Sequence, residues 1–137
     1  MTQKPDTVNL PETGAIIDFR YLLKKDHDRA TEDATPRPCL IWNVQAIESL
    51  HIVAVLPILS GATGARVAIN AAERAALGLD DTSEVVFEEA NIFLWAGPHI
   101  VPQADGNLMR STRASRQLLN AIASAMTGRN CDIVLRP

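Results

Sequence analysis

Arg37 stands between two prolines, in Pro36-Arg37-Pro38, immediately ahead of an apolar run. Pro38 holds the preceding backbone extended. A guanidinium fixed at a strand start can grip a phosphate through two parallel hydrogen bonds. A surface ion pair would account for the same residue without that chemistry. Glu88 and Glu89 interrupt an otherwise apolar region, and a carboxylate on the face of a groove can serve as a general base. The plainer alternative is the solvent side of an edge strand. His27 and Asp28 fall in the charged stretch from Lys24 to Pro36, which is longer than most connections and so points to function or mobility. Ser60-Gly61-Ala62-Thr63-Gly64 has the look of a phosphate loop, but a P-loop needs a lysine followed by Ser or Thr at the start of a helix. Here Ala65, Arg66 and a strand follow. A turn between two strands is the simpler reading, with small residues that would let a ligand backbone come close.

Metal chemistry has little to stand on. His27, His51 and His99 are dispersed, and neither paired cysteines nor a His-Glu-x-x-His spacing occurs. Cys39 and Cys131 each sit in an apolar run, where a cysteine behaves as a small buried hydrophobe. Neither a disulfide nor any cofactor is expected.

These residues must be positioned by short elements. Residues 1–13 carry two prolines and charges without any period and read as a flexible arm, and 14–137 read as one domain. Ala15 to Phe19 makes a first strand, with Arg20 to Leu23 as a possible extension. Pro38 to Val44 and His51 to Leu59 are continuous apolar runs that fit buried strands of a sandwich or barrel. A shorter strand follows from Arg66 to Ile69. Asn70 with Glu73 three residues on, alanines between, and Gly78 at the stop predict a two-turn helix. Strands resume at Val85 to Phe87 and Ile92 to Trp95, ended by the turn Ala96-Gly97-Pro98. Leu118, Leu119, Ile122 and Met126 recur at helical spacing and predict a helix over 111–127, stopped by Gly128. Cys131 to Leu135 completes the order. The class is therefore α+β, mainly β: a small barrel or rolled sheet with added helices, lacking regular βαβ alternation.

At 137 residues the chain has the size of one domain with an unstapled core. Aromatics are only 4% of it, so that core must be aliphatic. A net charge of -3 gives no global attraction to nucleic acid, and phosphate contacts would have to come from local arginines. The polar opening segment is no secretion leader and no apolar run reaches the roughly 20 residues that cross a bilayer. A cytoplasmic, non-membrane protein is expected.

Five stretches together resemble the PemK and MazF family of toxin-antitoxin ribonucleases: Gly14-Ala-Ile-Ile-Asp-Phe, Arg37-Pro-Cys-Leu-Ile, Val53-Ala-Val-Leu-Pro-Ile-Leu-Ser-Gly, Leu77-Gly-Leu-Asp-Asp and Ser83-Glu-Val-Val-Phe-Glu-Glu-Ala-Asn. They occur in the family's order from Gly14 to about Trp95. The resemblance implies an SH3-like β-barrel with a short helix and a C-terminal helix, and a homodimer. It implies metal-independent cleavage of single-stranded RNA by attack of the ribose 2′-hydroxyl on its own phosphate. A small cognate antitoxin that wraps the dimer and blocks the RNA groove is implied as well.

By that resemblance Arg37 stabilises the phosphate as charge builds in the transition state. Glu88 stands for the catalytic acid, and His27 is a second proton carrier from the first long loop. Asp28, Ser60, Gly61, Glu89 and Asn91 are the implied RNA contacts. Three positions depart from the pattern: Leu59 stands where the family usually has Thr, Val86 where some members have arginine, and Asn91 where many have another arginine. The alternative reading is a catalytically degenerate barrel of the same fold that binds RNA or a protein partner. A third is an interaction domain without nucleic acid, in keeping with the acidic balance.

Overall fold

The computed structural model of the chain describes residues 9–26, 35–61 and 64–137. The structure is mainly β, with nine strands and two α-helices among the described residues, and its sheet curls into a half barrel.

The centre is a wall of three antiparallel strands, β1 (Ala15–Phe19), β2 (Arg37–Ile47) and β3 (Leu50–Ser60). Side chains alternate across a strand, and over the middle of this wall both faces are covered. Ile16, Leu40 and Leu56 enter one cluster with Ile58, Val85, Phe87, Leu118 and Ile122. Their neighbours Ile17, Cys39, Ile41 and Val55 enter a second cluster with Phe19 and Phe93, whose rings stack at 4.6 Å. A strand covered on both sides needs no polar alternation, which is why these segments read as unbroken apolar runs.

β2 and β3 run longer than the apolar runs predict. They form one hairpin closed by Glu48 and Ser49, with Ile47 opposite Leu50. Glu48 takes the positive φ of 56° that a two-residue hairpin needs, but no Asn-Gly or Gly signals the turn. Trp42 is the extra residue of a bulge between Ile41 and Asn43.

The wall forks at both edges. β3 pairs through its first half with β6 (Glu89–Leu94) and through its end with β5 (Ser83–Val86), which carries β4 (Arg66–Ala68) at its edge. Pro57, lacking an N–H, falls in the gap where β3 changes partner. β1 likewise shares its outer edge between β7 (Ile100–Val101) and β8 (Met109–Arg113). β9 (Asp132–Leu135) lies parallel to β6.

The first helix, α1 (Ala71–Leu77), follows expectation. The Asn70 side chain accepts from the Glu73 N–H at 2.8 Å, and Gly78 ends the helix in the left-handed conformation at φ 68°. Glu73 does not close a capping box. Its carboxylate reaches Ser115 instead, accepting from the N–H at 2.5 Å and from the hydroxyl at 2.8 Å. Ser115 is itself the N-cap of α2 (Arg116–Met126). The helix predicted from residue 111 therefore begins at Arg116, because Met109–Arg113 is spent on pairing with β1. α2 buries Leu118 and Ile122 in the first cluster.

Residues 9–12 are tied to the body. The Asn9 carbonyl accepts from the Trp95 indole at 2.7 Å, its side chain accepts from Leu108 N–H at 3.0 Å, and Glu12 pairs with Arg113. Both cysteines are free thiols, and burial pushes the Cys39 thiol up. No helix among the described residues is long and apolar enough to cross a membrane.

Candidate functional site

Arg37 opens β2, opposite Phe19 of β1. Its guanidinium makes no hydrogen bond or ion pair among the described residues, and its Nε is buried without a partner. It lines a cleft of about 370 Å³ at the end of the central wall. Ser60 and Leu59 from β3, Ser83 from β5, Asp80 from the turn after α1, and Arg110 from β8 complete that cleft. Ser60 is exposed and pairs with Ser83 across the strands. Two hydroxyls, one carboxylate and two guanidiniums thus converge at one strand end.

The two arginines differ in what they are free to do. Arg110 donates through Nη2 and Nε to Asp18 and through Nη1 to the carbonyls of Leu77 and Gly78 at the end of α1. Cations favour a helix C-terminus, so Arg110 is a strut between β1, β8 and α1. The Arg37 guanidinium has no such commitment among the described residues.

Glu88 lies elsewhere. It lines a second cleft of about 570 Å³ with Gly64, Arg66, Glu84, Phe87 and Arg129. β5 separates the two clefts: Ser83 belongs to the first and Glu84 to the second, as side-chain alternation requires. Arg66, directly opposite Val86, brings a cation next to the position where the sequence lacks one. It is already paired with Glu84 at 3.2 Å and donates to the Gly64 carbonyl at 2.9 Å. The Glu88 carboxylate lies against the Cα of Gly64, whose φ is +91°, so a side chain there would meet it.

Two residues expected at RNA, Asn91 and Glu89, make hydrogen bonds within the fold. Asn91 is fully buried. Its carbonyl oxygen accepts from the Leu22 N–H and its amide donates to the Leu22 carbonyl, both at 2.9 Å. Glu89 accepts from the Tyr21 hydroxyl at 3.1 Å and the Lys24 N–H at 2.9 Å. Burial, reinforced by the Glu89 charge, pushes the Tyr21 hydroxyl up. Together they clamp the segment after β1 onto β6. Gly61 is exposed just past the end of β3 with a φ of +65°, and a Cβ there would find open space. His27 and Asp28 lie outside the described residues.

Reading by residue type missed Asp80, Ser83, Arg110 and Arg129. Asp80 and Ser83 do fall inside the stretches that carry the family resemblance. Arg110 and Arg129 offer no such signal, since their neighbours in space are distant in sequence. No group of three or more His, Cys, Asp or Glu able to hold a metal occurs among the described residues. No protein-family model, curated protein or solved structure matches the chain.

Proposed function

We propose that this protein is the ribonuclease component of a toxin-antitoxin pair, built on an SH3-like barrel of the PemK and MazF type, and that Arg37 clamps the scissile phosphate of single-stranded RNA. The observation that carries the reading is the uncommitted Arg37 guanidinium, with an unpaired buried Nε, opening on a cleft that also holds Ser60 and Ser83. An anion supplies the missing acceptor, and two hydroxyls supply further donors. The resemblance adds a homodimer, a small antitoxin and a cytoplasmic setting.

In this reading a base takes the proton of the ribose 2′-hydroxyl, the oxygen attacks the adjacent phosphorus, and the 5′-oxygen leaves with a proton from an acid. A cyclic phosphate remains. Arg37 offsets charge on the phosphoryl oxygens as it develops. Asp80 is the carboxylate that shares the cleft with Arg37 and is the better candidate for proton transfer than Glu88, which lines the other cleft. The test is cleavage of single-stranded RNA in excess chelator by wild type, Arg37→Ala and Asp80→Asn. Cutting by wild type alone supports the reading. Absence of both cutting and RNA binding in wild type removes it.

The runner-up is a barrel that binds RNA or a protein without cutting. It is favoured by Leu59, an apolar side chain in the phosphate cleft, and by the separation of Glu88 from Arg37. Binding at low salt without cleavage, unchanged by Leu59→Thr, would select it.

A further inference from the structure

The Glu88 cleft holds a carboxylate and a guanidinium that make no side-chain hydrogen bond or ion pair among the described residues. The Glu88 carboxylate makes no hydrogen bond or ion pair among the described residues. The Arg129 guanidinium rests over the buried Phe87 ring at 5.7 Å from its centroid. The second cation of the cleft, Arg66, is spent on Glu84 and the Gly64 carbonyl. Apart from Glu84 the rest of the lining is small or apolar, from Gly64, Ala65, Ala68, Phe87 and Ala125 of α2, around about 570 Å³. The turn after α2 is held to this place by the backbone, since the Asp132 N–H donates to the Glu88 carbonyl at 2.9 Å.

We infer that this cleft is a nucleobase pocket selective for guanine, resting on the reading that Arg37 holds RNA in the neighbouring cleft. A carboxylate accepts two parallel hydrogen bonds from an edge with two adjacent donors. Among the RNA bases guanine presents that edge, through N1–H and the 2-amino group, whereas adenine and uracil do not. A guanidinium at the rim of a cleft can carry a flat base, as unstacked RNA bases are commonly held on arginine planes. Glu88 therefore reads the base and Arg129 carries it. Because β5 separates the clefts, the backbone phosphate and an adjoining base can be engaged at the same time.

The probe is guanosine, which has no phosphate and so isolates base recognition from Arg37. Its binding is followed by amide chemical shifts against adenosine and inosine. Guanosine is expected to shift Gly64, Ala65, Glu88 and Arg129. It should bind about 100-fold more tightly than adenosine and about 10-fold more tightly than inosine, as one charge-assisted hydrogen bond is worth roughly one to two decades. Glu88→Gln should erase the preference, Arg129→Ala should weaken all nucleosides alike, and Arg37→Ala should leave guanosine binding unchanged. Equal binding of guanosine and adenosine, no shifts at these residues, or a preference that survives Glu88→Gln overturns the inference. Failure of the Arg37 reading looks different, as guanosine binding without RNA binding. Conversely, RNA bound through Arg37 with no guanine preference sinks the pocket alone.

Discussion

Asp18 on β1 accepts two hydrogen bonds from Arg110 on β8, Nη2 to Oδ1 at 2.7 Å and Nε to Oδ2 at 3.3 Å. Burial works against the charge on Asp18. The hydrogen bonds from Arg110 and Gln103, with the Arg110 charge, outweigh it and hold the carboxyl below its ordinary value of 3.8. The folded pKa is the lower one, so the stabilisation is complete above the ordinary value and is lost as pH falls through the folded value. Acid unfolding of wild type should therefore show a loss of stability below about pH 4 that Asp18→Asn lacks. Arg110→Ala should cost about 2 kcal/mol at neutral pH, since the pair is only partly buried and the guanidinium also holds the end of α1. Urea titrations across pH measure both effects.

Arg37→Ala should leave the melting temperature within a few degrees, because no partner among the described residues loses a side-chain hydrogen bond. Affinity for a short single-stranded RNA should fall about 10- to 100-fold, the worth of a charge-assisted contact. Fluorescence anisotropy at fixed salt reads this directly. An unchanged affinity would take Arg37 out of the interface.

Asn91→Leu should behave in the opposite manner. It strands the Leu22 N–H and carbonyl in a fully buried place, at a cost of about 1–3 kcal/mol per group. A clear drop in melting temperature is expected. Any RNA affinity that remains in the folded fraction should match wild type.

Gly64→Ala places a methyl where the Glu88 carboxylate lies, on a backbone with φ of +91°. The carboxylate must move and the backbone is strained, by about 1 kcal/mol or more. Thermal stability should drop modestly, and nucleoside shifts at Glu88 should change in pattern. Unaltered shifts would show that Gly64 does not set the Glu88 position.

Ile52, Leu94 and Leu135 are exposed on the β3, β6 and β9 strands, with Ile52 directly opposite Leu94. If the protein is a homodimer that uses this face, Leu94→Lys should yield monomers by light scattering while circular dichroism stays unchanged. A dimer that persists in the variant would place the interface elsewhere.

Legibility in the sequence tracked how local the cause was. Asn70 and Gly78 announce α1 because a cap is a property of adjacent residues, and the central strands announce themselves because both of their faces are covered. β7 did not, being two residues long, and Ser111 to Arg113 passed for helix because their pairing partner lies in β1. Arg37 stood out by its prolines. The roles of Asn91 and Glu89 did not, since their partners, Leu22 and Tyr21, are nearly seventy residues away. The division of Arg37 from Glu88 was likewise hidden, because it depends on which residue of β5 faces which way.

The double covering of the β1–β2–β3 wall also sets where the chain can breathe. At the middle of the wall, where Ile16, Ile17, Leu40, Ile41, Val55 and Leu56 are fully buried, amide protons should exchange with deuterium only when the whole domain opens. β4 and β9, each bonded to a single neighbour, should exchange by fraying in a fraction of that time. β4 borders the Glu88 cleft, whereas Arg37 stands two residues before the buried Cys39 of β2, so one cleft is framed by a labile edge and the other adjoins the slowest-exchanging part of the chain.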